Sequence, residues 1–526
     1  MPIPRDLDLL STQPVDVLVV GGGITGAGIA RDAALRGLTV ALLDKGDFAS
    51  GTSSRSSRLV HGGVRYLEHG HFHLVFEASA ERRRLLRLAP HLVRPLAFTW
   101  PVYRGQRLPV WKLAAGLALY DALALFRNVE RHRRLDARGV LEREPRLAAA
   151  QMQGGVRYFD AATDDARLTL ANALDARDAG AIVLNHVALT GVGEARDGLR
   201  AYRVEDALTG ERAELRARVL VNAAGPWTDA VRDRLGLPGG ARVQGSKGSH
   251  VAVPRDRVGN REAITLTHPR DGRVMFTLPA GPHTIIGTTD MFTDESPESV
   301  RASAGEVTYL LEAANAFFPD ARLEPGDVVA AWSGIRPLVP TGRASVTAAT
   351  REHSIARSGD VVTITGGKLT TYRVMASEAT DAAQEMLGRR VVRSPTRGRP
   401  LHGGAVDVPA AMKEAMRVAD PDTAARLVQA YGSAWRDAHA RCERDDASRA
   451  RLAEGLPYRM GEMAWSVEHE AARTLGDLLI RRTHLAFETR DNGRAAARAV
   501  AAHLRWPAAE VARYDAEVER IFAVTP

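Results

Sequence analysis

Apolar positions fall in short unbroken runs near the start of the chain and in spaced, one-sided patterns toward its end. DVLVV (16–20) reads as a buried strand, GGGITG (21–26) as a turn, Ile24 to Arg36 as a helix and LTVALLD (38–44) as a second strand. This strand–helix–strand order predicts a parallel sheet with a crossover helix. A further helix is predicted over Leu74–Leu88, with Leu74, Val75, Ala78, Leu85 and Leu88 on one side and Pro90 beyond its end. Helix LTLANALDARDAG (168–180) leads to strand AIVLNHVAL (181–189), a hairpin around Leu208, Thr209 and Gly210, and strand ARVLVNAAG (217–225), which returns the chain to its first sheet. Strand-like runs such as SHVAVP, VMFTLPA, HTIIGTT and VVAAWSGI fill 241–335, separated by Gly, Pro and Asp, and predict a mixed second domain. After Pro400, Ala, Arg and Glu at helical spacing predict a C-terminal helical domain.

Five hundred and twenty-six residues are enough for about three domains. Apolar residues at 45% and charged residues at 25% exclude a disordered chain, a collagen-like fibre and a polytopic membrane protein. The single cysteine, Cys442, rules out an internal disulfide framework and a cysteine-rich metal site, which fits a reducing cytosol. Asp6 and Asp8 stand where an export signal would be basic, and the apolar stretch Val110–Phe126 is broken by Lys112 and Asp121. That stretch also falls short of the roughly 20 residues a spanning helix needs. A net charge of +8 favours a phosphate-bearing partner without saying which. A nucleic-acid partner is not expected, because the basic residues are interleaved with acids and no nucleic-acid motif is found.

Gly21, Gly23 and Gly26 form G-x-G-x-x-G after a strand and at a helix start, and Asp44 ends the next strand. The first glycine permits the tight turn, the second the approach of a pyrophosphate and the third helix-on-strand packing; Asp44 would accept from a ribose. His69, His71 and His73 would share one face of a strand, but no carboxylate or cysteine cluster accompanies them, so no metal site is expected. Between Arg104 and Arg134, an apolar middle with Trp111, Leu117, Tyr120, Leu123 and Phe126 is flanked by arginines. Such a segment can lie at headgroup level on an anionic membrane or serve as a buried amphipathic helix.

The segments GGGITGAGIARDAALRG, GTSSRSSRLVHGGVRYLE, VNAAGPW, KGSH, IIGTTD, SGIRPL and GGKLTTYR, in this order, resemble the FAD-dependent glycerol-3-phosphate dehydrogenases of the aerobic, quinone-linked type. The C-terminal YGS and LGDLLIRRT segments resemble that family's helical domain. The resemblance implies an α/β fold: a Rossmann-like FAD-binding domain over 1–90, 155–240 and 330–385, a mixed β-sheet substrate domain over 91–154 and 241–329, and a C-terminal α-helical domain over 400–526. It implies FAD held by Gly21, Gly23, Gly26 and Asp44, by the hydroxyls of Thr52, Ser53 and Ser54, by Ala224 and Gly225, and by Gly367, Lys368, Leu369 and Thr370 at the flavin edge. Arg65, Arg336, Lys368 and Arg351 are implied as cations for a phosphorylated substrate, a role that suits arginine's paired donors. His61 is the candidate base for the alcohol proton, with Arg65, Arg336 and Lys368 beside it as catalytic residues and Tyr66 and His250 orienting the substrate.

The activity so implied is oxidation of sn-glycerol 3-phosphate to dihydroxyacetone phosphate by hydride transfer from C2 to flavin N5, with electrons passed to a membrane quinone. The resemblance further implies a cytoplasmic protein attached peripherally to the inner face of the cell membrane, and leaves a homodimer open. Two other readings share the architecture: a dehydrogenase of another polyol phosphate, and an amine or 2-hydroxy-acid oxidase.

Overall fold

A computed structural model describes residues 7–237, 242–339 and 352–526. The run Val15–Val20 is buried along its whole length and pairs in parallel with Arg212–Asn222 on one side and Val40–Leu43 on the other. Burial on both faces explains why these strands read as continuous apolar runs. Ile182–Leu184 extends the sheet beyond Val40–Leu43, and Val361–Gly366 with His353–Ser358 extends the other edge. The helices Ile24–Leu35, Asp165–Asp178 and Tyr372–Met386 pack together against it. Their shared core includes Val17, Val19, Ala27, Ala30, Leu174, Val221 and Ala376.

The predicted strand 181–189 is divided in two. Val187–Arg196 leaves the parallel sheet and pairs antiparallel with Leu199–Asp206, which pairs in turn with Arg212–Asn222. His186, at the break, has φ of 56°, and Asn185 turns its amide to Asp47 and the carbonyl of Ala471. A left-handed residue and two tertiary hydrogen bonds end the strand there.

Among the described residues, the second sheet has ten strands. Gln244–Pro254 lies between His283–Gly287 and Ala330–Leu338, while Val93–Tyr103 pairs with Met152–Thr163 over eleven residue positions. Leu59–Val60, Met152–Thr163 and Ala330–Leu338 run in this second sheet, although 1–90, 155–240 and 330–385 read as one domain in the sequence. His61 follows the first of these strands, and Asp160 and Arg336 lie on the other two.

Helical elements from Val408 to Phe522 form the C-terminal region. Part of it has its own core around Leu427, Val428, Tyr431 and Trp435, and Cys442 is buried there. Its remainder shares a core with the second sheet: Phe487 sets its ring edge-on to Trp332, with centroids 5.0 Å apart. Among the described residues, no helix is long and apolar enough to cross a membrane. Residues 64–69 form a 3-10 turn and Phe72–Leu88 a helix, so His69, His71 and His73 do not lie on a strand.

Candidate active site

A cavity of about 880 Å³ is lined by the glycine loop, by Asp44, Ser50–Ser53, His61, Tyr66, His250 and Arg336, and by Gly366–Leu369. That volume is at the upper end for small-molecule sites and suits a dinucleotide with a small substrate.

At its nucleotide end the glycines do different work. A Cβ on Gly21, whose φ is 110°, would come within 2.6 Å of the Ala223 carbonyl oxygen, and one on Gly26 within 1.8 Å of the Gly21 carbonyl oxygen. These two let the turn and helix close on each other. Gly23 faces the cavity, and its Cβ would meet only Ser53 Oγ at 3.3 Å. The space beside it is what a phosphate requires, at the N-terminus of the helix Ile24–Leu35 where backbone N–H groups converge. Asp44 accepts from the Gly22 and Gly46 N–H groups, at 2.6 and 2.8 Å. Burial pushes its carboxyl up to about 6 against the pull of those two bonds. Ser53 Oγ accepts from the Ile24 N–H at 3.0 Å, and Thr52 Oγ1 donates to the Ile335 carbonyl at 2.6 Å. Ala224 and Gly225 line the same end. These groups fit the adenosine diphosphate half of FAD. Ser54 is buried and is not among the lining residues.

The other end gathers the substrate candidates. Arg336 donates from Nη1 to Asp290 Oδ1 at 3.2 Å and from Nη2 to Thr288 Oγ1 at 3.1 Å. Gly248 makes room for it, since a Cβ there would stand 2.3 Å from the guanidinium. Lys368 sets its ammonium 3.7 Å from the centre of the Tyr66 ring, a cation–π contact within the cavity wall. Arg273, not singled out by the sequence, also lines the cavity and donates to the Asp290 carbonyl at 2.7 Å. Arg351 lies outside the described residues, as does the side chain of Arg65.

His61 follows the short strand Leu59–Val60, and its backbone exchanges bonds with Thr370 Oγ1: its N–H donates at 3.1 Å and its carbonyl accepts at 3.2 Å. Thr370 is itself buried, so it tethers His61 from behind. Gly367 and Leu369 line the cavity beside Lys368. The next residue, Gly62, donates its N–H to Asp160 Oδ1 at 3.1 Å. Asp160 also accepts from Tyr120 OH at 2.7 Å and is ion-paired to Arg82. This buried network fixes the His-Gly-Gly turn to the second sheet. His250 stacks on Trp332 with centroids 5.4 Å apart and shares a hydrogen bond with Ser57 Oγ through Nε2 at 2.8 Å. Burial, with Arg336 and Arg58 nearby, lowers its pKa to about 3, so the ring is neutral.

Sequence reasoning missed Asp160, Arg82, Arg273 and the cavity residues of the C-terminal region, and gave Tyr120 no part in the site. Asp290 closes the quoted segment IIGTTD, a signal that could have marked it. Arg481 lies in LGDLLIRRT and Tyr120 in the Arg104–Arg134 segment, but only the fold brings them and the rest to the site. Among the described residues, Asp47, His186 and Asp477 are close enough to share a metal ion, but Arg481 and Arg482 meet their carboxylates.

Residues 16–382 match the family of FAD dependent oxidoreductases, and residues 394–510 match the C-terminal domain of alpha-glycerophosphate oxidase. Glycerol-3-phosphate dehydrogenase 2 of Mycobacterium tuberculosis is 38% identical, covering 97% of this chain and 89% of that protein. Aerobic glycerol-3-phosphate dehydrogenase of Staphylococcus haemolyticus is 34% identical, covering 90% of this chain and 87% of its own. Among solved structures, the glycerol-3-phosphate dehydrogenase of Bacillus halodurans complexed with FAD superimposes with a TM-score of 0.79 at 31% identity, covering 98% of this chain and 96% of that one. With a cavity built for a dinucleotide and relatives of this kind along nearly its whole length, the chain belongs to the FAD-dependent glycerol-3-phosphate dehydrogenase family.

Proposed function

We propose that this protein oxidises sn-glycerol 3-phosphate to dihydroxyacetone phosphate and passes the electrons to a membrane quinone. The observation that carries this reading is a single cavity that has the glycine loop at one end and Arg336, Lys368, His61 and His250 at the other. Bound FAD supplies the acceptor for the hydrogen and electron pair that leave C2. Arg336 and Lys368, joined by Arg65 and Arg351, hold the phosphoryl group, and the fixed cations orient the short carbon chain. His61 takes the proton of the C2 hydroxyl. His250 is a poor proton acceptor, since its pKa near 3 keeps it neutral well below physiological pH, and it serves as a hydrogen-bonding partner that orients the hydroxyl.

Membrane attachment is read from one patch. Trp111, Leu119, Leu125 and Phe126 are exposed, as are Phe72 and Phe76 on the packed helix Phe72–Leu88. Exposed Arg104, Lys112 and Arg127 flank them, which suits an anionic headgroup layer on the inner face of the cell membrane.

The test is anaerobic mixing of the flavin-loaded protein with glycerol 3-phosphate, glycerol, lactate and a longer polyol phosphate. Glycerol 3-phosphate should bleach the flavin fastest. Faster bleaching by the longer phosphate, or by lactate, would replace this reading with one of its rivals. Arg336→Ala should raise KM for glycerol 3-phosphate by about 30-fold or more with FAD retained, the loss expected for a charge-assisted contact.

A further inference from the structure

The turn that follows the glycine loop holds a buried arginine for which the cofactor and substrate assignments have no use. Arg55 is only 6% exposed and lines the cavity together with Gly23 and Ser53. Its guanidinium donates from Nη2 to the Ser50 carbonyl at 3.3 Å, and among the described residues it forms no ion pair. Burial lowers its pKa to about 10, with Arg520 and Arg481 adding to the effect and Glu517 opposing it. A guanidinium taken out of water without a counter-charge is costly, so an anion that enters the cavity beside it is strongly favoured.

The neighbouring carboxylates are already engaged. Arg481 bonds to Asp47 at 2.7 Å and to Asp477 and Glu517 at 2.8 Å each, and Arg482 bonds to Asp47 at 2.6 Å. Arg520 lies 3.8 Å from Glu517 and donates to the Glu298 carbonyl at 3.3 Å. Both Arg481 and Arg520 line the cavity, although they belong to the C-terminal region. Four elements thus converge there: the N-terminus of the helix Ile24–Leu35, the Ser50–Arg55 turn, and cations from the helix Ala508–Phe522 and the segment Asp477–Arg482. The missing charge is negative, and the ligand already assigned to this cavity carries a diphosphate.

We propose that Arg55 binds the diphosphate of FAD and that the C-terminal helical region completes this subsite, with Arg520 and Arg481 walling it from the side opposite the glycine loop. The C-terminal region is then part of the cofactor site. This inference rests on FAD as the cofactor and is independent of which polyol phosphate is oxidised.

The test compares full-length Arg55→Ala, Arg55→Lys and Arg520→Ala with the parent by flavin fluorescence, reading the dissociation constant for FAD and, separately, for riboflavin, which has no phosphate. Arg55→Ala should raise the constant for FAD about 10- to 100-fold, the range of a charge-assisted contact, and leave that for riboflavin within about threefold. Arg55→Lys should recover most of the loss, and Arg520→Ala should show a smaller rise of about three- to tenfold. An FAD constant within threefold of the parent in Arg55→Ala overturns the proposal. So does an equal loss of FAD and riboflavin binding, which would make Arg55 a purely structural residue. A raised KM for glycerol 3-phosphate with FAD affinity unchanged would assign the guanidinium to the substrate's phosphate and overturn it equally. If Arg55→Ala does not accumulate as folded protein, Arg55→Gln carries the same measurements.

Discussion

The three fingerprint glycines are chemically identical and structurally unequal. Gly26 has no room for a methyl group, because the Gly21 carbonyl oxygen would lie 1.8 Å from it, whereas Gly23 borders open cavity. Gly26→Ala should therefore cost about 3 kcal/mol or more of stability, as overpacking and a displaced helix would. Gly23→Val should fold with little loss and be purified without flavin. Melting curves and the flavin-to-protein absorbance ratio separate the two outcomes, and a fully flavinated Gly23→Val would contradict the assignment. His91 gives a second prediction. It is 2% exposed, its Nδ1 has no hydrogen-bond partner, and burial lowers its pKa to about 3; His250 behaves alike. In the unfolded chain both titrate near 6.5, so below that pH the unfolded state binds more protons. Stability is thus fully present above about pH 6.5 and falls by roughly 1.4 kcal/mol per pH unit for each histidine as pH drops toward 3. His91→Gln should shed its share, about 2 kcal/mol at pH 5 relative to the parent, once the two are matched at pH 7.5. Denaturant midpoints at the two pH values read this directly, and parallel pH profiles for parent and variant would refute it. The fingerprint was legible in the sequence because its glycines, turn and acid lie within one strand–helix–strand unit. His91 was not, since its burial depends on Gly403 and Gly432, more than three hundred residues downstream.

At the scale of elements, spacing alone could not decide which side of Val110–Leu123 faces inward. Its sequence is apolar nearly all round. The structure turns Leu117 and Tyr120 in, where the Tyr120 hydroxyl bonds Asp160 at 2.7 Å, and leaves Trp111 65% and Phe126 58% exposed. The sequence leaves Leu117 and Tyr120 open to a membrane surface or to a buried helix face; the structure buries both, and Tyr120 ties this helix to the His61 turn. What decided it was a buried carboxylate from the second sheet, invisible to periodicity. Trp111→Ser together with Phe126→Ser should weaken binding to vesicles containing anionic phospholipid by about 100-fold or more, on the ordinary value of a buried aromatic side chain. Turnover with a water-soluble electron acceptor should be retained. Equal co-sedimentation of variant and parent would send the apolar patch to some other partner. Strand order posed the same difficulty. Leu59–Val60, most of Met152–Thr163 and Ala330–Leu338 lie in stretches that read as the first domain, yet their hydrogen-bond partners place them in the second sheet.

For the whole molecule, the question is why a helical region of over a hundred residues stays docked on a complete α/β body. Its apolar contact with the second sheet, through Phe487 and Trp332, is one part of the answer. The other is an ionic network in which Asp47, just after the strand Val40–Leu43, is gripped by Arg481 and Arg482 across 434 and 435 residues of chain. Asp47 is 1% exposed, Arg481 2% and Arg482 1%. Charges this deeply buried add little net stability while paired and cost several kcal/mol when one partner is removed. Asp47→Ala would leave Arg481 with Asp477 and Glu517 but strip Arg482 of its carboxylate, and should destabilise the protein by about 3–5 kcal/mol. Because the same loop carries Gly46, whose N–H holds Asp44 Oδ1 at 2.8 Å, the loss should not remain at the domain boundary. Limited proteolysis should cut the connection between the helix ending at Met386 and the one beginning at Val408 sooner in the variant, and FAD should dissociate faster from the uncut protein. Asp47→Asn, which keeps an acceptor of the same shape, should fall between parent and Ala variant on both readings. If Asp47→Ala melts and is cleaved like the parent, the apolar contact alone holds the C-terminal region, and the ionic network is a consequence of docking and not its cause.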